Sequence, residues 1–241
     1  MAPESILYGR RHGHRLRASR RALLDEVLPA VAIDLPGKGD LPGEGGRLDL
    51  AGLFAALPQG SRPLRYRLEV GFGNGEHLVA QAAAHPEIGF IGCEPFINGV
   101  SMCLHHLKQA GVGNVRLHAD DARPLMAMLP DAALERVSVL FPDPWPKTRH
   151  HRRRFIGPET LDLLARVLAP GGELRIATDH MECGRWMLDH GCRHAAFAWL
   201  AEGPGDWRRP PEDESPSRYE EKAQAAGRPC IYLQFRRLRV A

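Results

Sequence analysis

Along residues 65–236, short apolar runs alternate with longer stretches of mixed polarity, and this alternation predicts strands and helices in turn. Residues 66–70, 89–94, 114–118, 137–141 and 173–178 read as strands, with Gly, Pro, Asn or Asp at their ends. Helices are expected at 76–84, 97–110, 121–129, 158–168 and 180–191. Gly111 stops the second of these and Pro170-Gly171-Gly172 the fourth. A strand followed by a helix, repeated five times, predicts a parallel, doubly wound sheet. Two further strands close the chain, at 197–200 and 231–236. The loop between them, 203–217, is rich in proline and acid and contains no clear helix, which predicts an antiparallel final hairpin. The expected fold class is α/β, a doubly wound, mostly parallel sheet of seven strands.

Ahead of this region the pattern is weaker. Residues 21–32 predict a short helix broken near Pro29, and 49–57 a helical turn. Glycine and proline dominate 35–47, which reads as a loop. The chain therefore divides into a basic N-terminal arm with a Gly/Pro-rich extension, 1–64, and a main domain, 65–241. No internal repeat or low-complexity tract is visible.

Composition narrows the function classes. The chain has 241 residues, 44% hydrophobic and 25% charged, as in an ordinary globular protein. Its apolar runs fall far below the ~20 residues that span a bilayer. No signal peptide is expected, because the early residues carry a charged face with no long apolar run behind it. The expected compartment is the cytoplasm. The five cysteines are odd in number and show no CxxC spacing, which argues against a disulfide framework and a zinc site. Net charge is only +3, but it is unevenly placed. Arg10, Arg11, Arg15, Arg17, Arg20 and Arg21 form one basic cluster, and Lys147 to Arg154 a second. Two local basic patches on a nearly neutral body suggest a polyanion that docks in one place.

The first strand turns into the first helix through Glu69-Val70-Gly71-Phe72-Gly73-Asn74-Gly75-Glu76. Glycines there let a backbone approach a ligand closely. A dinucleotide fingerprint, GxGxxG, fits poorly, because the third glycine comes one position early. Glu76 also puts negative charge where a pyrophosphate would sit. A cationic ligand without phosphate fits better, and S-adenosylmethionine is one. Glu69 would face its positive methionine end. Glu94, ending the second strand, is placed to hold ribose hydroxyls. Asp121, after the third strand, would bind the adenine amino group. A structural glycine turn with solvated acids is the plainer alternative.

After the fourth strand comes Phe141-Pro142-Asp143-Pro144-Trp145-Pro146-Lys147, then Thr148-Arg149-His150-His151-Arg152-Arg153-Arg154. Strand ends of parallel sheets are where such folds put their chemistry. A carboxylate between prolines, beside a ring and a block of positive charge, suggests an enzyme acting on a base of a nucleic acid. These residues, with Glu69 to Glu76, Glu94 and Asp121-Ala122, resemble the bacterial tRNA (guanine-N7-)-methyltransferase family over about 65–236. Ser217-Arg218-Tyr219-Glu220 is similar to the family's late Thr-x-aromatic-Glu motif, with Ser for Thr. Thr148 stands where a basic residue is often found.

The resemblance implies a class I, Rossmann-like fold that uses S-adenosylmethionine; no metal site is expected, because the twelve histidines lie mostly in basic runs. It implies methyl transfer to N7 of a guanine in tRNA, position 46 of the variable loop. The enzyme would be a monomer or homodimer with no membrane partner. Asp143 would be the catalytic carboxylate and also touch the cofactor, which Glu69, Gly71, Gly73, Gly75, Glu94 and Asp121 would bind. Lys147, Asp179, Ser217, Arg218, Tyr219 and Glu220 would bind the target nucleotide. Arg149, Arg152, Arg153 and Arg154, with Arg10 and Arg11 from the arm, would meet backbone phosphates. Trp145 would stack on a base or be core, and others have plainer alternatives: Asp143 as a turn cap, Asp179 as a helix N-cap, Ser217 to Glu220 as a helix start. A small-molecule or protein methyltransferase of the same fold, and a non-catalytic RNA-binding protein, are the competing readings.

Overall fold

The structure, a computed structural model, describes residues 8–35, 47–58 and 61–239. The loop expected at 35–47 lies, but for its two ends, outside the described residues. The chain forms two compact units, Met1–Pro130 and Asp131–Ala241.

The first unit contains helices α1 (Ala18–Glu26), α2 (Leu28–Val31) and α3 (Leu50–Leu53). Then β1 (Arg65–Val70), α4 (Glu76–Ala84), β2 (Ile88–Cys93), α5 (Ile97–Ala110), β3 (Val115–His118) and α6 (Ala122–Met128) alternate. The single broken helix expected at 21–32 is two helices, because Val27 ends α1 and Pro29 sits in the first turn of α2, where its missing N–H costs nothing. β1, β2 and β3 pair in parallel, with β2 in the middle. Every residue of β2 and β3 is buried, the pattern of strands covered on both faces. Leu78, Val79 and Ala82 of α4 and Val100, Leu104 and Leu107 of α5 pack with Ile88, Phe90 and Leu117 to form the core.

The second unit contains β4 (Leu134–Leu140), a 3-10 helix (Thr148–Arg153), α7 (Pro158–Val167) and β5 (Leu168–Thr178). It continues with α8 (Met181–Arg193), β6 (Phe197–Trp199), α9 (Arg218–Ala225) and β7 (Ile231–Arg237). β4 and β5 are parallel, and β7 runs antiparallel to both β5 and β6. β5 starts earlier than expected: Pro170 to Gly172 lies inside it, at a register shift between Leu134 and Arg136 of its partner. α9 corrects the expectation that no clear helix joins the last two strands. It buries only Glu220 and Ala223, so it has no apolar stripe for periodicity to reveal.

The strands are ordered β3-β2-β1 in the first unit and β4-β5-β7-β6 in the second, seven in all, with β7 as the antiparallel member. The α/β class and the mostly parallel sheet are as the sequence predicts.

Candidate active site

The first unit gathers three acids at the ends of its parallel strands. Glu69 is the penultimate residue of β1, Glu94 comes directly after β2 and Asp121 shortly after β3, and all are buried. Burying a carboxylate is costly unless donors compensate it, and each of the three has them. Glu69 Oε2 lies 2.7 Å from Nδ1 of His77, itself buried on α4. Glu94 accepts from the backbone N–H of Gly73 at 2.8 Å and of Phe96 at 2.9 Å. Asp121 caps α6 by accepting from the N–H of Arg123 at 3.1 Å, and the Arg123 guanidinium reaches both its oxygens.

Gly71, Gly73 and Gly75 all have positive φ, which glycine alone adopts without strain. Gly75 also backs onto α5 so closely that an added Cβ would collide with Cys103. Gly71 differs: a Cβ there would meet nothing within 4 Å. The loop is thus packed behind and open at Gly71, and it is tied to Glu94 through the Gly73 N–H. A cationic, phosphate-free cofactor fits this set.

Sequence reading gave no sign of how the basic arm is held. Ile97 N–H donates to Arg11 O at 3.0 Å, and the Asn98 side chain bonds both Gly13 N–H (2.9 Å) and His14 O (2.8 Å). Arg11, expected at a phosphate, reaches Asp120 at 2.5 Å instead. Partial burial opposes the Asp120 charge, but the Arg11 bond and the Asp121 N–H outweigh it and hold that carboxyl below its ordinary range. Arg10 is exposed.

In the second unit, the loop after β4 presents Asp143 and Lys147 to solvent. Two of its residues, Phe141 (φ 51°) and Trp145 (φ 42°), adopt left-handed backbone, uncommon for bulky side chains. The Trp145 ring packs edge-on against His150, with the Arg153 guanidinium 5.0 Å from its centroid. Arg149 and Arg152 are exposed and Arg153 is half-buried. Arg154 departs from the expected phosphate contact: it is 5% exposed and turned inward. Its Nε donates to Pro144 O at 2.9 Å, and its other nitrogens meet Glu182 and Trp145 O.

Asp179 is ion-paired with Arg228 at 2.7 Å. It is not the N-cap of α8; His180 caps that helix by accepting from Cys183 N–H. Ser217 caps α9, accepting from Glu220 N–H at 3.1 Å. Arg218 and Tyr219 are exposed and Glu220 is buried. Glu220 Oε1 accepts from the Tyr232 hydroxyl at 2.6 Å and from Gln224 at 3.2 Å, two partners that no motif announced. Burial, with the Glu220 charge beside it, pushes the Tyr232 hydroxyl pKa up, so it stays a donor. Ser217, Glu220, Tyr232, Phe141 and Arg175 line a small recess. Buried Arg175 binds Asp213 at 2.7 Å and Glu214 at 2.9 Å, which ties the proline-rich loop to β5 just before Ser217.

Among the described residues, no group of three or more His, Cys, Asp or Glu side chains is arranged to hold a metal. Among the described residues, no helix is long and apolar enough to cross a membrane.

The chain matches a family model described as a putative methyltransferase over residues 65–233. It is 54% identical to the tRNA (guanine-N(7)-)-methyltransferase of Rhodospirillum rubrum, across 97% of this chain and 88% of that one. The enzyme of the same description from Ruegeria pomeroyi is 49% identical, across 98% and 96%. Among solved structures, the 16S rRNA (adenine(1408)-N(1))-methyltransferase from Catenulisporales acidiphilia superposes with a TM-score of 0.52 at 20% identity, covering 88% of this chain and 99% of that one. That likeness speaks to the fold alone, which is that of the class I methyltransferases.

Proposed function

Because the chain belongs to the tRNA (guanine-N(7)-)-methyltransferase family, we propose that it methylates N7 of a guanine in tRNA, at position 46 of the variable loop, using S-adenosylmethionine. The observation that carries this reading is the loop after β4. It sets an exposed carboxylate, Asp143, between two prolines and follows it with exposed Lys147, Arg149 and Arg152.

S-adenosylmethionine supplies an electrophilic methyl carbon on a sulfonium. Guanine N7 has an in-plane lone pair and no proton. It attacks that carbon, the S–C bond breaks, and its electron pair stays on sulfur. No base has to remove a proton from N7, so catalysis here is positioning and electrostatics. The alkylated guanine gains positive charge, which Asp143 stabilises. In the first unit, Glu69 faces the cationic methionine end of the cofactor, Glu94 the ribose hydroxyls and Asp121 the adenine. Gly71 gives the backbone room to approach. In the second unit, Glu220 accepts from the guanine N1–H and exocyclic amine, a pattern adenine lacks. The Tyr232 and Gln224 bonds hold that carboxylate in register. Lys147, Asp179, Arg218 and Tyr219 complete the nucleotide site, and Arg149, Arg152 and Arg153 meet phosphates.

The test is methyl transfer from labelled S-adenosylmethionine to unmodified tRNA transcripts, with product mapped by chemical cleavage at 7-methylguanine. Label at the variable-loop guanine supports the proposal. Cofactor binding without transfer to any tRNA overturns it.

A further inference from the structure

Arg154 ends a run of basic residues, yet it has no nitrogen to spare for a phosphate. Its side chain is 1% exposed. Nε donates to Pro144 O at 2.9 Å, and Nη2 leans on Trp145 O at 3.4 Å. Nη1 reaches Glu182 Oε1 at 3.1 Å, and Nη2 also binds Glu182 Oε2. The Trp186 ring lies 5.1 Å from the guanidinium, and its indole N–H is fixed on Ile156 O at 2.8 Å. One side chain therefore links the loop after β4 to α8.

What it grips is a loop whose backbone is strained at both ends. Prolines fix φ at 142 and 144. Phe141 and Trp145 on either side adopt left-handed backbone that costs free energy at non-glycine residues. Phe141 is anchored by its N–H to Ala177 O at 2.8 Å. At the far end, Arg154 donates to the backbone carbonyls of Pro144 and Trp145, while His150 and Arg153 pack on the Trp145 ring. Asp143 sits between these two anchor points.

We propose that Arg154, braced by Glu182, is a positioning residue for the reaction. It holds the Phe141–Trp145 loop in its strained form, so that Asp143 stays aimed at the guanine. It is not a phosphate ligand. The Arg154 hydrogen bond holds the Glu182 carboxyl below its ordinary pKa, so the brace remains charged through the neutral range. Lysine cannot replace the fork, since a single ammonium cannot serve two carbonyls and a carboxylate in one plane. The inference rests on the reading of Asp143 given above.

The test compares R154K, E182Q and R152Q with the parent enzyme, measuring kcat, the KM for tRNA, and the salt dependence of that KM. A phosphate ligand and a loop clasp leave opposite signatures. For R154K the expected result is a kcat lower by about 30-fold or more, a KM within about twofold, and an unchanged salt slope. For E182Q a loss of several-fold in kcat is expected, in the same pattern. For R152Q, KM rises and the slope flattens by about 0.7–0.9, the loss of one phosphate contact. R154K with parental kcat, or with a flattened slope, overturns the clasp. If R154K fails to fold, as shown by lost cofactor binding, E182Q decides: parental kcat there overturns the proposal equally. D143A at full activity would instead overturn the reading of the loop itself. D143A inactive beside a fully active R154K overturns the clasp alone.

Discussion

The two units treat their carboxylates in opposite ways. In the first, Glu69, Glu94 and Asp121 are buried and already engaged by His77, by two backbone N–H groups and by Arg123. Their positions are set before any ligand arrives. In the second, Asp143 is exposed on a strained loop held by a side chain from further along the chain. A site that binds one invariant small molecule gains from rigid, prepaid positions, because less freedom is lost on binding. A site that must take hold of a large polyanion and then align one base gains from an exposed group on a surface-presented loop. The difference teaches that the two halves fail differently when altered.

The strongest way to break the comparison is D143A. It should lower kcat by roughly 10²–10³, the usual size of a lost electrostatic contact to a charge developing in the transition state. The dissociation constant for S-adenosylmethionine, measured by calorimetry, should move by no more than about twofold. A matching loss of cofactor affinity would make Asp143 part of the first kind of site. The reverse profile is expected for E94Q: cofactor affinity weakened about 10-fold, from the loss of a charged acceptor worth ~1–3 kcal/mol. Near-parental kcat at saturating cofactor would complete that profile.

Charge reversal at Arg152 and Arg153 sharpens the comparison from the substrate side. KM for tRNA should rise and its dependence on log[salt] should flatten by about 1–2, while cofactor affinity stays put. A steep slope retained in the double variant would move the docking surface elsewhere.

The smallest effect concerns acid. Burial opposes the Asp213 charge, but the Arg175 and Arg136 partners prevail and bring its carboxyl from 3.8 to about 2. A depressed folded value contributes stability above the unfolded pKa, and this is lost as pH falls through the folded one. The stability gap between the parent and D213N, measured by urea unfolding, should therefore be full above about pH 4 and close towards pH 2. A gap constant across that window would mean that the ion pair does not tie down the loop.

The alternation of strands and helices was legible in the sequence because burial on both faces demands continuous apolar strands such as Ile88–Cys93. The acids at strand ends were legible as a candidate site because doubly wound sheets generally bind ligands at that edge. Elements without an apolar signature were not. The 3-10 helix Thr148–Arg153 buries no residue, and α9 buries a glutamate and an alanine. Side-chain direction within the basic run was also hidden. Arg152, Arg153 and Arg154 read alike, yet one is exposed, one half-buried and one internal. Only the fold of the chain around Trp186 and Glu182 separates them. The partners of Glu220 were hidden for the same reason, since Tyr232 looked like any residue of a closing strand.

The direction of β7 has a practical side. Ile231 pairs with Thr178 at the carboxyl end of β5, and Arg236 pairs with Glu173 nearer its start. Within the second unit, the chain therefore runs away from Asp179 and Tyr232 and leaves the sheet about five residues down the strand, some 17 Å off at the usual rise. Arg236 and Arg237 thus lie on the side of Glu173 away from Thr178. On the proposed function, a label carried at Arg236 or Arg237 would lie away from Asp179 and Tyr232, which suits single-molecule or surface-capture work.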